Sequence, residues 1–380
     1  MVGARVDFST PRWVRDGLNA LTDLVPPALG LSSRDGAPGD SWDLDLLPGT
    51  GGGSFTSVVY RVFSLPDGLV GVSSRSAIAK IIRRQDQQEP SDVQYWRREA
   101  ETYSSNEIKR ILPDGLRLPV CHASADADEC TVLLLEDLGP DDRSTRTTGW
   151  YGDLARLLGR MNGNRDGIGL RPAWLTTDFA GGEARWAAAL VAETMAPPPD
   201  WIARLYSEQH RRDLTDVVNN CDLLLAALDS LPKGVAHLDA FSRNVIARND
   251  DLALIDWELV GEAPIGVEVA GLFVITAVYL DVPSGDLAEF EAAVFDGYVA
   301  GLRDIGCTAA TDDVRMAFAA AMALRFLGVF TRIRPLLLDN PDAIAAIAGQ
   351  PVEEEVLEYW VELAGQMSAI ARESARHINH

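Results

Sequence analysis

Residues 237–258 restrict this chain more than any other stretch. They read His237-Leu-Asp239-Ala-Phe-Ser-Arg243-Asn244, then Val-Ile-Ala-Arg-Asn-Asp-Asp, then Leu-Ala-Leu-Ile-Asp256-Trp-Glu258. Val235-Ala236 leads in, Val245-Ile246-Ala247 leads out, and Asn249-Asp250-Asp251 turns the chain before Leu252–Ile255 returns. Polar turn residues between two short apolar runs are a hairpin signal. Asp239, Asn244 and Asp256 are therefore expected to converge at one end of that hairpin. A base, an amide and a second carboxylate at one point form the set that phosphoryl transfer from a magnesium nucleotide requires. Asp239 would accept the proton of an attacking hydroxyl, and Asn244 and Asp256 would hold the metal. Each motif alone also reads as ordinary turn residues and a strand end. The two in order, joined by a hairpin, point to function.

His-x-Asp-x-x-x-x-Asn followed by an apolar run ending in Ile-Asp resembles the catalytic and metal-binding loops of the aminoglycoside phosphotransferase superfamily. These are small-molecule kinases with a protein-kinase-like fold. The resemblance implies an α+β, two-lobed chain with an antiparallel-sheet N-lobe, a mainly helical C-lobe, and ATP or GTP with Mg2+ in the cleft between them. Its implied layout is an N-terminal helix and loop over 1–40, a nucleotide-binding lobe over 41–138 ending in a hinge, and a helical lobe over 139–380.

Pro48-Gly-Thr-Gly51-Gly52-Gly53-Ser54 lies between two strand-like segments, Leu44–Leu47 and Ser57–Leu65. Its glycines would let backbone N–H groups approach phosphates. No Gly-Lys-Ser/Thr follows, so it is not a Walker A loop. Lys80 sits inside the apolar strand Ser76–Ile82, where a lysine needs a partner. The resemblance pairs it with nucleotide phosphates and with Glu99 on a helix expected over 91–111, Glu101 being the alternative. It also makes Glu136–Leu138 the hinge, with Glu136 and Leu138 meeting the adenine through the backbone. It makes His237 and Glu268 structural supports of the catalytic loop. Arg243, Glu258 and Glu262 are candidates to face the acceptor.

Elsewhere Thr10-Pro11 reads as a helix cap with Trp13, Val14, Leu18 and Leu21 on one face. Leu118-Pro119-Val120 reads as a strand start, and Glu183–Thr194 and Trp201–Leu231 carry helical patterns. The 380 residues suffice for two lobes with a sizeable core. A formal charge of −22 argues against a nucleic-acid partner. It suits general solubility and is compatible with a cationic acceptor. Four cysteines without Cys-x-x-Cys spacing read as free thiols in a reducing compartment. Arg12, Arg15 and Asp16 interrupt any signal-peptide core. Val269–Leu280, the longest clean apolar run, is too short to span a bilayer. The expectation is a cytoplasmic monomer or homodimer with a small-molecule hydroxyl acceptor, no nucleic acid and no membrane. Its acceptors range over aminoglycosides, other antibiotics, amino sugars and sugars, with antibiotic resistance as one role. The alternatives are an inactive nucleotide-binding regulator and a protein kinase, though no Asp-Phe-Gly or Ala-Pro-Glu element supports the latter.

Overall fold

The structure, a computed structural model, describes residues 10–29, 42–47, 56–64, 75–164, 172–248, 251–282 and 285–378. The chain divides into two compact units. The first comprises Met1–Pro90, Gln94–Asn106 and Leu118–Pro140, and the second Ser91–Val93, Glu107–Arg117 and Asp141–His380.

The first unit is built on an antiparallel sheet of order β1-β2-β3-β6-β5. Its strands are β1 (Trp42–Leu46), β2 (Ser57–Ser64), β3 (Ser76–Arg83), β5 (Cys121–Asp126) and β6 (Cys130–Glu136). Central β3 explains its own sequence. Ala77, Ala79 and Ile81 share one face and are fully buried with Trp13, Val14, Leu21 and Val25 of α1 (Arg12–Ala28). Each such large apolar side chain contributes about 1.5–3 kcal/mol on burial. Gly17 lets the helix lie close, because a Cβ there would overlap the Ile81 side chain. Lys80 follows the strand period of two and so emerges on the opposite face.

Three local expectations are corrected in this region. Helix α1 has Pro11, not Thr10, at its cap position, with no side-chain cap bond. The Pro11 carbonyl accepts the N–H groups of Val14 and Arg15, and its ring presets the backbone. The helix expected over 91–111 is two short ones, α2 (Arg98–Ser104) and α3 (Glu107–Ile111), parted by extended Ser105. Ser104 bonds the Ala100 carbonyl through its hydroxyl at 2.7 Å. The next residue, Ser105, turns to extended backbone while its N–H still donates to the Glu101 carbonyl, and this ends the helix. The strand expected from Leu118 is interrupted. β4 (Leu116–Arg117) belongs to the second unit, where it pairs with Leu252 and Ala253, and β5 starts only at Cys121, after Pro119, which has no N–H to give.

The second unit is mainly helical. Its helices after α3 are α4 (Thr148–Asn162), α5 (Phe179–Met195), α6 (Glu208–Asn219), α7 (Cys221–Asp229), α8 (Val267–Val278), α9 (Leu287–Asp304), α10 (Thr311–Asp339), α11 (Pro341–Ala348) and α12 (Glu354–Ile378). The pattern over 201–231 is thus a 3-10 turn and two helices. Ser207 caps α6 by accepting the His210 N–H, and Asn220 separates α6 from α7. β7 (Lys233–Ala236) pairs with β10 (Gly261–Pro264), and β8 (Val245–Arg248) pairs antiparallel with β9 (Asp251–Leu254), which also carries β4. One unit built on an antiparallel sheet and one mainly helical unit make up the α+β class expected.

α4 and α9 approach to backbone contact. A Cβ at Gly297 or Gly301 would overlap the carbonyl oxygen of Gly152 or Arg156, and one at Gly159 that of Tyr298. A buried hydrogen-bond chain crosses the same junction. The Gly266 N–H donates to the Tyr298 hydroxyl at 3.1 Å, which donates to Asn162 Oδ1 at 2.8 Å. Asn162 Nδ2 donates to the Val235 carbonyl at 2.8 Å. This chain ties β7, which runs into His237, to the start of α8, which carries Glu268. Among the described residues, α10 alone has the length and composition to cross a bilayer, and 89% of its most apolar window is buried.

Candidate active site

The β8–β9 ladder sets the geometry. Val245 pairs with Leu254, and the Ile255 N–H donates to the Asn244 carbonyl at 3.0 Å just beyond. Asn244 and Asp256 therefore leave the same end of the hairpin. Asn244 Nδ2 then reaches back to Asp239, donating to its carboxylate at 2.8 Å and to its carbonyl at 3.0 Å. The amide nitrogen is spent on Asp239, so Oδ1 is the atom of Asn244 suited to a cation. Asp239 and Asp256 are close enough to repel. Burial, then Asp256, then Glu258 and Glu183 raise the Asp239 carboxyl well above the usual range, against the pull of Arg325.

His237 is buried under this loop. Its Nε2 faces the Ile255 carbonyl at 3.0 Å, and its Nδ1 accepts the Asp239 N–H at 3.3 Å. A ring nitrogen facing a carbonyl must donate, so both nitrogens are engaged in the neutral tautomer. The ring also packs edge-on against buried Trp257 at 4.4 Å. The Trp257 indole donates to the Leu254 carbonyl at 2.8 Å, which makes it core rather than pocket wall.

Two non-glycine residues here hold left-handed backbone, Leu238 at φ 67 and Asp256 at φ 64. Such conformations cost about 1–3 kcal/mol each and persist only where surroundings enforce them. At Leu238 the enforcement is visible. Its N–H donates to both oxygens of Glu268, at 3.0 and 3.1 Å. Burial pushes the Glu268 carboxyl up to about 7, while the N–H groups of Leu238, His237 and Ala240 draw it down.

In the first unit, Lys80 Nζ lies 2.5 Å from Glu99 Oε2, and both side chains are buried. Glu101 instead meets Arg97 at 2.8 Å. The Glu136 N–H donates to the Val120 carbonyl and its carboxylate accepts the Val120 N–H, so Glu136 is pinned to the neighbouring segment. Leu138 is buried. Gly51, Gly52, Gly53 and Ser54 lie outside the described residues.

The three acceptor-facing candidates separate. Arg243 stacks on Tyr279, 3.9 Å from the ring centroid, and donates to the Ile347 carbonyl at 3.2 Å. Glu258 is exposed. Glu262 lines a cavity of about 370 Å³ with Asp178, Phe179, Lys233 and Val267.

Among the described residues no cluster of three or more His, Cys, Asp or Glu side chains forms a metal site. The set present, an amide oxygen and a carboxylate with a second carboxylate nearby, is sparse. That suits a cation such as Mg2+, which keeps waters and takes further oxygens from substrate phosphates.

The sequence profile described as the APH phosphotransferase enzyme family matches residues 69–309. The chain belongs to this family. Solved structures share the fold at low identity. A spectinomycin phosphotransferase in complex with ADP and spectinomycin superposes with a TM-score of 0.53 at 12% identity, over 87% of this chain and 93% of that one. An aminoglycoside phosphotransferase from Alicyclobacillus acidocaldarius gives 0.52 at 13%, over 92% and 99%. An amicoumacin kinase in complex with AMP-PNP and Ca2+ gives 0.51 at 15%, over 84% and 88%. A comparison with curated proteins finds no match.

Within this phosphotransferase-family chain, two arginines at the loop escaped the motif reading. Arg146 donates to the carbonyls of Ser242 at 2.5 Å and Val245 at 2.6 Å, bracketing the turn that carries Asn244. Asp141 neutralises it at 2.7 Å, and Trp150 lies beneath it at 4.2 Å. Arg325, on α10, donates to the Leu238 carbonyl at 3.1 Å. A lone arginine in the apolar run Met322–Phe330 carries the same signal as Lys80 in its strand: a charge on a buried face implies a waiting partner.

Proposed function

We propose that the protein transfers the γ-phosphoryl group of ATP or GTP to a hydroxyl of a small molecule. The observation that carries this reading is the Asn244 amide. It fixes the Asp239 carboxylate at 2.8 Å while standing at the same hairpin end as Asp256. Asp239 orients the acceptor hydroxyl and receives its proton. Asn244 Oδ1 and Asp256 would hold Mg2+, which when bound would neutralise charge on the phosphates. Lys80, kept extended by Glu99, steadies the α- and β-phosphates. Gly51, Gly52, Gly53 and Ser54 are proposed as phosphate-binding residues on sequence alone, and the backbone of Glu136 and Leu138 would meet the base. His237 and Glu268 keep the loop in shape without moving protons. Because the transition state is loose, rate comes from positioning and charge neutralisation.

For the acceptor, the exposed carboxylate of Glu258, close enough to act on Asp239, favours a hydroxylated amine. Relatives of the same fold named for spectinomycin and amicoumacin make antibiotics the first compounds to try. The test is a screen of hydroxylated amines, sugars and antibiotics for acceptor-dependent release of nucleoside diphosphate, with ATP and GTP in parallel. Acceptor-dependent release that disappears in Asp239→Ala supports the reading. Nucleotide binding with Mg2+ but no release with any acceptor favours a regulator, and transfer to protein favours a protein kinase.

A further inference from the structure

Arg325 occupies a position that the loop motifs do not account for. It projects from α10, one of the most buried helices of the second unit, and is 9% exposed. Its guanidinium has three contacts. Nη2 donates to the Leu238 carbonyl at 3.1 Å. Nη1 meets the Glu183 carboxylate of α5 at 3.2 Å. The plane lies over Phe179 at 4.9 Å.

The Leu238 peptide is thus gripped from both sides. Glu268 on α8 takes the N–H, and Arg325 on α10 supplies a donor to the carbonyl. This residue immediately precedes Asp239 and holds φ at 67. A side chain that prefers negative φ is kept at positive φ only while both grips hold. If the carbonyl grip is lost, the Leu238–Asp239 peptide can rotate and redirect the Asp239 carboxylate.

The route to the carbonyl is itself built. Gly271 lies three residues after Glu268 on α8, on the same helical face. A Cβ at Gly271 would stand 3.3 Å from Arg325 Nη2 and 3.8 Å from the Leu238 oxygen. Glycine in a helix interior costs about 1 kcal/mol relative to alanine, so the gap carries a standing penalty.

We propose that Arg325 is a positioning residue for phosphoryl transfer. Together with Glu268 it clamps the Leu238 peptide, and Gly271 keeps open the space through which it reaches. The inference rests on Asp239 being the base. The clamp itself is measurable without any turnover.

The experiment uses the full chain and four variants: Arg325→Met, Arg325→Lys, Gly271→Ala and Glu183→Gln. Hydrogen exchange of peptides covering 237–241 reads the clamp. Hydrolysis of Mg·ATP and Mg·GTP with water as acceptor, and transfer to any acceptor found in the screen, read the chemistry. Arg325→Met should raise exchange at 238–240 by about tenfold or more and lower kcat by about 10²-fold, the usual cost of a displaced group. The KM for nucleotide should not change. Arg325→Lys, which keeps a donor, should recover part of kcat, and Glu183→Gln should lose less than Arg325→Met.

Gly271→Ala separates positioning from stability. It should raise the unfolding temperature through helix propensity yet lower kcat, because it crowds the guanidinium. Unchanged exchange at 238–240 in Arg325→Met would overturn the clamp, as would a Gly271→Ala enzyme that is both more stable and fully active. If Arg325→Met does not fold, Gly271→Ala and Arg325→Lys decide alone. If the wild-type chain binds nucleotide but never releases diphosphate, the phosphotransferase reading fails while the exchange result stands or falls by itself.

Discussion

Replacing Lys80 with methionine removes the ion-pair partner of a buried carboxylate, and the cost can be worked from the pair. Lys80 and Glu99 side chains are 10% and 2% exposed, 2.5 Å apart. Removing one partner of a buried pair typically costs 3–5 kcal/mol if the other stays charged. Glu99 has a second route, which is to take a proton. That costs about 1.4 kcal/mol for each pH unit above its unperturbed pKa of roughly 4.3, so about 4 kcal/mol at pH 7 and about 1.5 at pH 5.4. The cheaper route governs. In the variant Glu99 has a folded pKa raised above its unfolded one, so the defect must grow as pH rises and fade as pH falls. Urea unfolding followed by tryptophan fluorescence suits the measurement, because Trp13 and Trp42 are buried in the same unit's core. The expected loss for Lys80→Met is about 3–4 kcal/mol at pH 7, shrinking to about 1.5 at pH 5.4. Lys80→Met/Glu99→Leu, which buries neither charge, should return to within about 1 kcal/mol of wild type while nucleotide affinity stays low. A pH 7 loss below about 1 kcal/mol, a loss indifferent to pH, or a double variant as unstable as the single one would refute the reasoning.

Asp239→Ala should lower turnover by about 10²-fold or more with nucleotide affinity retained, and near-normal turnover would reject Asp239 as the base. Asp256→Ala should instead weaken magnesium-dependent nucleotide binding, read by titration with and without Mg2+; an unchanged magnesium response would remove it from the metal set. Gly301→Ala should destabilise the second unit by at least about 2 kcal/mol despite its better helix propensity, because its Cβ meets the Arg156 carbonyl rather than a movable side chain. Thermal unfolding beside an exposed control such as Gly285→Ala, where a Cβ meets nothing but φ is 87, would separate crowding from backbone strain.

The hairpin between Asn244 and Asp256 was legible because its signal is local: two apolar runs, a polar turn, and side chains at fixed offsets from a ladder. Lys80 was legible because a charge inside an apolar strand demands an explanation. The helix limits around Ser105 were not, because a single residue turning to extended backbone decides them rather than periodicity. Trp257 shows a different limit. An indole beside a reactive loop can face either way, and only the packing of His237 against it settles the direction. Arg146 and Arg325 act on main-chain carbonyls rather than on side chains. The place of Arg325 in an apolar run announces that it has a partner, but contacts with the backbone of residues 96, 99 and 87 positions away leave no residue-type pattern that names it. The clamp at Leu238 was invisible for the same reason, since nothing about a leucine announces a positive φ.

The glycine-lined seam between α4 and α9 has a consequence for how this enzyme family member can be re-engineered. Where main chain rests on main chain, there is no side chain to trade, so that seam offers neither slack nor raw material for altered selectivity. The helices α5 to α7 are joined through exchangeable side chains instead, and α5 touches the loop through Glu183 and Arg325. A library aimed at new acceptors belongs on the solvent-accessible positions of residues 172–231, with Gly152, Gly159, Gly297 and Gly301 left as they are.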